Sequence, residues 1–217
     1  MAGNTGAVIV AAGLSSRMGD YKPLMEIGGV SIARRVVGAF LGAGVGPIVV
    51  VTGHRAAELE AHLQEFAADG AGAASDAGAT SGAAGCPELL FVRNERYDST
   101  TMFDSARIGL SYIAGRCARA FFTPVDVPLF TADTVRALMA CGADIVKPVY
   151  KGREGHPILV GAGLIPEIVG TEEPGGLKAA LEKYEARTAR VEVSDEGVLY
   201  DADTPDEFNL LMELSRN

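Results

Sequence analysis

Two glycines, two serines, an arginine and a lysine share the short stretch from Gly13 to Lys22. Glycine lets main-chain N–H groups come close to phosphate oxygens. Arg17 offers a planar fork and Lys22 a point charge. A loop of this make-up suits a polyphosphate. It is not the P-loop of NTPases, because five residues separate Gly13 from Gly19 and Lys22 comes three after Gly19. The glycine spacing also departs from the dinucleotide fingerprint. A surface turn that happens to carry an Arg and a Lys is the plainer reading. Only the rest of the chain can weigh against it.

Three further clusters do so. Asp126 lies in Pro124-Val125-Asp126-Val127-Pro128, stiffened by two prolines. A carboxylate there suits Mg²⁺, a hard ion commonly held by one or two carboxylates and substrate phosphates. The competing reading is an Asp bonded within its own loop. Asp201 and Asp203 sit in Asp201-Ala202-Asp203-Thr204-Pro205. Two residues apart, they share a face of an extended segment, and the expectation is that one of the two faces a ligand. Thr204 suits a helix N-cap, with Asp206 and Glu207 in the first turn. His156, between Gly155 and Pro157, is either structural or on the substrate side. His54 and His62 read as structural. No Ser–His–Asp or Cys–His arrangement is supported.

These residues need elements to hold them. Ala7 to Ala12 is a short continuous apolar run, as in a strand covered on both faces, and the Gly13 loop leaves its end. Ser31 caps a helix to about Leu41 with Ile32, Val36, Val37 and Phe40 on one face. Strand-like runs at 48–51, 89–92, 120–123 and 144–147 alternate with helical ones at about 56–66, 102–114 and 131–140. This is the order of a parallel α/β sheet, with Asp126 just past a strand end, where open α/β sheets bind ligands. After Pro148 the pattern changes. Strands are expected at 156–160, 189–193 and 198–200, with helices at 177–184 and from Pro205, giving a mixed sheet. The expectation is a single-domain α/β fold over 1–217. Residues 67–87, almost wholly Ala, Gly, Ser, Thr and Asp, read as a flexible insertion.

Composition narrows the class. The chain has 217 residues, 48% of them hydrophobic, and a formal charge of -9. That charge argues against a nucleic-acid partner. An anionic ligand would need a metal counter-ion and local cations. Cys86, Cys117 and Cys141 form no pair spaced for zinc and read as reduced thiols of a cytoplasmic protein, the last two as buried small hydrophobes. The N-terminal apolar run is too short to cross a membrane.

Taken in order, AAGLSSRMGDYK, PVDVPL, GHP and DADTPDE resemble the MobA-like nucleotidyltransferase family over nearly the whole chain, and its molybdenum-cofactor cytidylyltransferase branch most. The resemblance implies a Rossmann-like nucleotidyltransferase fold, a mostly parallel mixed sheet flanked by helices. It also implies nucleotide binding by Ala11, Ala12, Gly13, Ser15, Arg17, Lys22 and Ser105, and Mg²⁺ on Asp126 with Asp201 or Asp203. Arg17, Lys22 and Asp126 would be the catalytic groups, with His156 on the acceptor side. Ala12 leans towards CTP, since the guanylyl branch tends to have Gly there. Two segments depart from the family pattern. Glu172-Glu173-Pro174-Gly175-Gly176-Leu177-Lys178 stands where the family has GDxGA(R), and TTMFDS lacks a glycine before Ser105.

The implied activity is transfer of a nucleotidyl group from an NTP to a phosphate monoester, with pyrophosphate leaving. The acceptor would be molybdopterin carrying molybdenum, with a molybdoenzyme as a further partner. Two alternatives stand beside it. One changes the partners to GTP, or to a phosphorylated alcohol or sugar. The other is a nucleotide-binding accessory protein for cofactor insertion, without turnover.

Overall fold

A computed structural model describes residues 4–15, 18–69, 88–172 and 175–216. Arg17, Cys86, Glu173 and most of the expected 67–87 insertion lie outside the described residues. The first strand, β1 (Thr5–Ala11), is buried on both sides because its residues alternate between two cores. Ala7, Ile9 and Ala11 face one, Val8 and Val10 the other. The hairpin β2 (Glu26–Ile27) and β3 (Val30–Ser31) then delivers the chain to α1 (Ile32–Gly42). Ser31 caps α1 by accepting from the Arg34 N–H, and Val36, Val37 and Phe40 are fully buried on the expected face.

The chain continues through β4 (Ile48–Thr52), α2 (Ala56–Ala68), β5 (Leu89–Arg93), α3 (Met102–Ile113), β6 (Arg119–Pro124), α4 (Ala132–Ala140) and β7 (Ile145–Tyr150). Then come β8 (Arg153–Glu154), β9 (Ile158–Gly161), α5 (Ile165–Val169), α6 (Gly176–Glu182), β10 (Thr188–Glu192) and α7 (Pro205–Leu214). The main sheet runs β10-β7-β9-β6-β1-β4-β5, with β8 paired to β7. β9 lies antiparallel between β6 and β7, and the β1, β4, β5 and β6 pairings are parallel. Helices α1, α2, α4 and α7 pack into one core, and α3, α5 and α6 into the other. From β1 the chain moves out to β4 and β5, then returns to place β6 on the other flank of β1. The strand order reverses between β1 and β6, and a crevice opens there at the strand ends.

Three expectations are corrected. Residues 198–200 are not a strand: Glu196–Leu199 is a 3₁₀ turn, because Asp195 accepts a hydrogen bond from the Gly197 N–H and winds the segment. The strand expected at 144–147 runs on through Pro148, which pairs with Val191 of β10, to Tyr150, and the antiparallel part of the sheet follows directly in β8 and β9. Cys117 is buried, but Cys141 ends α4 half-exposed. No helix among the described residues is long and apolar enough to cross a membrane.

Candidate active site

A cleft of about 340 Å³ opens at the reversal point, walled by Ala11, Ala12 and Gly13 after β1 and by Val125 and Asp126 after β6. The two strand ends are tied, the Val125 N–H donating to the Val10 carbonyl at 2.9 Å. Ser15 turns the loop with φ 54°, a left-handed conformation uncommon outside glycine. Its Oγ accepts from the Lys22 N–H at 3.0 Å. That bond fixes where Lys22 starts. The Lys22 side chain is only 10% exposed and reaches two carboxylates, Asp203 at 2.7 Å and Asp126 at 3.3 Å.

Asp203 comes from far along the chain, and two bonds place it. The Ala202 N–H donates to the Asp126 carbonyl at 2.9 Å. Thr204 caps α7 by accepting from the Glu207 N–H. Asp203 thus lines the cleft, while Asp201 lies outside its wall and is exposed. Among the described residues no group of three or more His, Cys, Asp or Glu gathers as a metal cage. Two carboxylates converging on one cation position is what is present.

The electrostatics fit that arrangement. Burial pushes the Asp126 carboxyl above its usual range, Lys22 pulls it back and Asp203 pushes it up again. Asp201 is raised too, by burial and then by Asp203 and Asp126. Asp126 and Asp203 converge on the Lys22 ammonium, making an oxygen-rich position. A hard divalent ion fits it, completed by phosphate oxygens of a bound nucleotide.

Ser105 lines the same cleft, nearly buried, and its hydroxyl accepts from the Asn94 side chain at 3.0 Å. Asn94 also donates to Thr100 at 2.8 Å and accepts from the Arg96 N–H. It pins the whole loop between β5 and α3. Tyr97, Thr100, Thr101 and Met102 of this stretch are cleft walls that sequence reasoning missed. One signal was available: Thr101 and Asp104 form a capping box at the start of α3.

A second, wider cavity of about 1010 Å³ lies beyond α3. Thr101 and Met102 line both, so the first turn of α3 is a common wall. His156 stands in the second cavity, not the first. Its main-chain N–H donates to the Val198 carbonyl at 2.9 Å, and its Nδ1 is closed off from water without a hydrogen-bond partner. Burial depresses its pKa to about 4, with Lys147 acting the same way and the Phe122 backbone opposing. The imidazole is therefore neutral near pH 7.

A family model described as the MobA-like NTP transferase domain matches residues 7–189. The chain belongs to that family. It is 25% identical over 202 residues to the molybdenum cofactor cytidylyltransferase of Escherichia coli, which covers 93% of this chain and 92% of that one. Among solved structures, a nucleotidyl transferase from Methanothermobacter superposes with a TM-score of 0.77 at 23% identity, over 99% of both chains. A Mycobacterium tuberculosis protein in complex with manganese superposes with a TM-score of 0.70 at 19% identity, over 97% of this chain and 98% of that one. Both structural likenesses are of fold. Membership of a nucleotidyltransferase family fits a cleft at the strand reversal whose walls are main-chain amides, one lysine and two acids.

Proposed function

We propose that this nucleotidyltransferase moves a cytidylyl group from CTP to the phosphate of molybdopterin carrying molybdenum, in the cytoplasm, releasing pyrophosphate. The observation that carries the reading is the convergence of Lys22, Asp126 and Asp203 at the mouth of a cleft walled by the Gly13 loop. The similarity to the Escherichia coli cytidylyltransferase supports the choice of CTP and of the acceptor.

An acceptor phosphate has its second pKa near ~6, so at neutral pH it is mostly a dianion and needs no general base. That suits a cleft without a histidine in its wall. The acceptor oxygen attacks the α-phosphorus in line as the bond to pyrophosphate breaks. The protein's task is to align the two and to neutralise charge. Asp126 and Asp203 would hold Mg²⁺, which supplies positive charge to the phosphates; a structural relative binds manganese. Lys22 and the main-chain amides around Gly13 would stabilise the departing pyrophosphate, with Arg17 joining from the same loop. Ser105 and Ala12 shape the slot for the nucleoside.

The test is pyrophosphate release by the purified protein with Mg²⁺, CTP or GTP, and molybdopterin. Turnover is expected with CTP. Asp126→Ala and Lys22→Met are expected to lose at least about 100-fold in kcat, as for loss of a main transition-state charge contact, while far-UV circular dichroism stays unchanged. Near-wild-type release from both variants would sink the reading. CTP binding without release under any acceptor would favour an accessory binding protein.

A further inference from the structure

Among the described residues the first cleft has one aromatic side chain in its wall, Tyr97, on the loop between β5 and α3. Two neighbours hold that ring in place. Gly53, just past β4, leaves room for it: a Cβ there would stand 2.7 Å from the Tyr97 Cβ and 2.7 Å from the Ala12 carbonyl oxygen. Glycine thus lets Tyr97 lie against the main chain at the end of β1. His54 backs it from the other direction. The His54 ring centroid is 5.9 Å from that of Tyr97 and 5.6 Å from that of Tyr21, the latter an edge contact. Tyr21 is only 3% exposed and carries the Arg55 guanidinium 4.9 Å from its ring centroid. The His54 N–H donates to the Ala12 carbonyl at 3.3 Å. A row of three rings therefore runs from the residue before Lys22 to the cleft wall, anchored in the core at its Tyr21 end. At the other end Tyr97 is half-buried. Leu14, in the loop after β1, lines the same cleft and is 48% exposed. Phosphates have no use for such apolar surface.

We propose that Tyr97 is the stacking platform for the nucleobase of the bound NTP, and that His54 is the positioning residue that holds the Tyr97 ring in the cleft wall. The proposal rests on the nucleotidyl-transfer reading above. A base is a flat ring with polar edges and π-faces, and an aromatic side chain covers a face whatever the base. Stacking on Tyr97 therefore strengthens binding of any nucleoside triphosphate, and the choice among bases falls to groups that meet the ring edge. The cleft divides its labour accordingly: Lys22, Asp126 and Asp203 stand at the charged part, Tyr97 and Leu14 at the apolar part. A ligand held at both its base and its triphosphate keeps the α-phosphorus in one place, which in-line attack requires. His54 gives the platform its stiffness. Its ring stands between Tyr97 and the buried Tyr21, so Tyr97 cannot swing back from the cleft without displacing it.

The experiment uses the full chain with Mg²⁺ and two probes, CTP and inorganic triphosphate, which carries no base. Calorimetry reads binding without an acceptor, and NMR of tyrosine-labelled protein reads the ring itself. Six tyrosines give a countable spectrum, and Tyr97→Phe assigns the signal. The Tyr97 ring resonances are expected to shift with CTP and to stay put with triphosphate. Tyr97→Leu keeps apolar bulk against Gly53 and loses the flat face; it is expected to weaken CTP binding about 10-fold, as for loss of one base–aromatic stack. Triphosphate binding should be unchanged, and Tyr97→Phe, which keeps the ring, should bind CTP as the wild type does. His54→Ala is expected to lose part of the CTP affinity, His54→Phe to restore it, and His54→Ala to add nothing in a Tyr97→Leu background, since the two act as one unit. Unchanged CTP binding by Tyr97→Leu, an equal loss for both probes, or additive losses in the double variant would each overturn the proposal. Absence of pyrophosphate release from a wild type that binds CTP would instead overturn the transfer reading, and the binding data separate the two failures.

Discussion

The two cavities are built by opposite rules. The cleft at the end of β1 is the smaller and electrically unfinished at Asp126, whose carboxyl burial holds above its usual range even with Lys22 beside it. The cavity beyond α3 is about three times as large and closer to electrically closed, with Arg107, Lys147 and Arg190 already facing carboxylates. An unfinished site invites a metal and phosphates, which complete it. A closed one invites a ligand that adds shape and a few hydrogen bonds. The largest effects should therefore follow from charge in the first cavity and from shape in the second. The loss of turnover in Asp126→Ala and Lys22→Met is the extreme case.

Gly155 tests whether the two are independent. A Cβ on it would run into the Val198 carbonyl, in the segment that leads to Asp203. The Gly155 N–H also donates to the Pro148 carbonyl at 3.0 Å, so the residue has little room to retreat. Gly155→Ala is expected to cost about 1–3 kcal/mol, as overpacking usually does, read as a fall in the urea midpoint at unchanged m. Because the clash pushes on the Asp203 arm, turnover at the first cavity should fall as well, though the substitution lies beside the second. Unchanged kcat in a destabilised variant would show that the cavities are mechanically separate.

The same contrast explains what the sequence made legible. The first cavity comes largely from short motifs at strand ends, and each motif keeps its chemistry within a few residues. Gly13 to Lys22, Asp126 and Asp203 could therefore be picked out before any contact was known. Strand alternation would put Asp201 and Asp203 on one face, so it could not separate them; Asp203 alone lines the cleft, and the Ala202–Asp126 bond and the α7 cap place it there. Asn94 and Tyr97 were missed because their role comes from one side chain bridging a loop to α3, which leaves no periodicity. Val198–Tyr200 looked like a strand because β-branched and aromatic residues dominate it; the Asp195 side chain overrides that preference. The second cavity takes its walls from α3, β6 to β9, α6 and β10, so no local window contains it.

A smaller effect separates the cavities by pH. The His156 pKa falls from 6.5 to about 4 on burial. Between those values the unfolded chain binds a proton that the folded chain does not. Stability therefore drops as pH falls through this window, by up to about 1.4 kcal/mol per pH unit. His62, lowered by burial and by Arg34, acts in the same direction, so the measurement must be a difference. Urea denaturation at pH 7, 6 and 5 should show a shallower acid decline for His156→Phe than for the wild type. Equal slopes would mean that His156 is solvated, and the second cavity wetter than its walls suggest.

Thr101 gives the smallest effect and the sharpest division, because it stands in the wall between the cavities. Its Oγ accepts from the Asp104 N–H at 3.2 Å, and the Asp104 carboxylate takes both the Thr101 hydroxyl, at 2.7 Å, and its main-chain N–H, at 2.8 Å. These bonds hold the Asp104 pKa down, the hydroxyl first. Thr101→Ala removes the hydroxyl half of the box and is expected to cost about 1 kcal/mol, the usual loss at such a cap. Thr101→Ser keeps the hydroxyl and should cost a few tenths at most. The kinetic readout matters more than the stability. If the first turn of α3 positions both ligands, Thr101→Ala raises the KM for CTP and for the acceptor together by a few fold, and Thr101→Ser raises neither. A change in one KM alone would assign the wall to that cavity and leave the other to be held by its own far side.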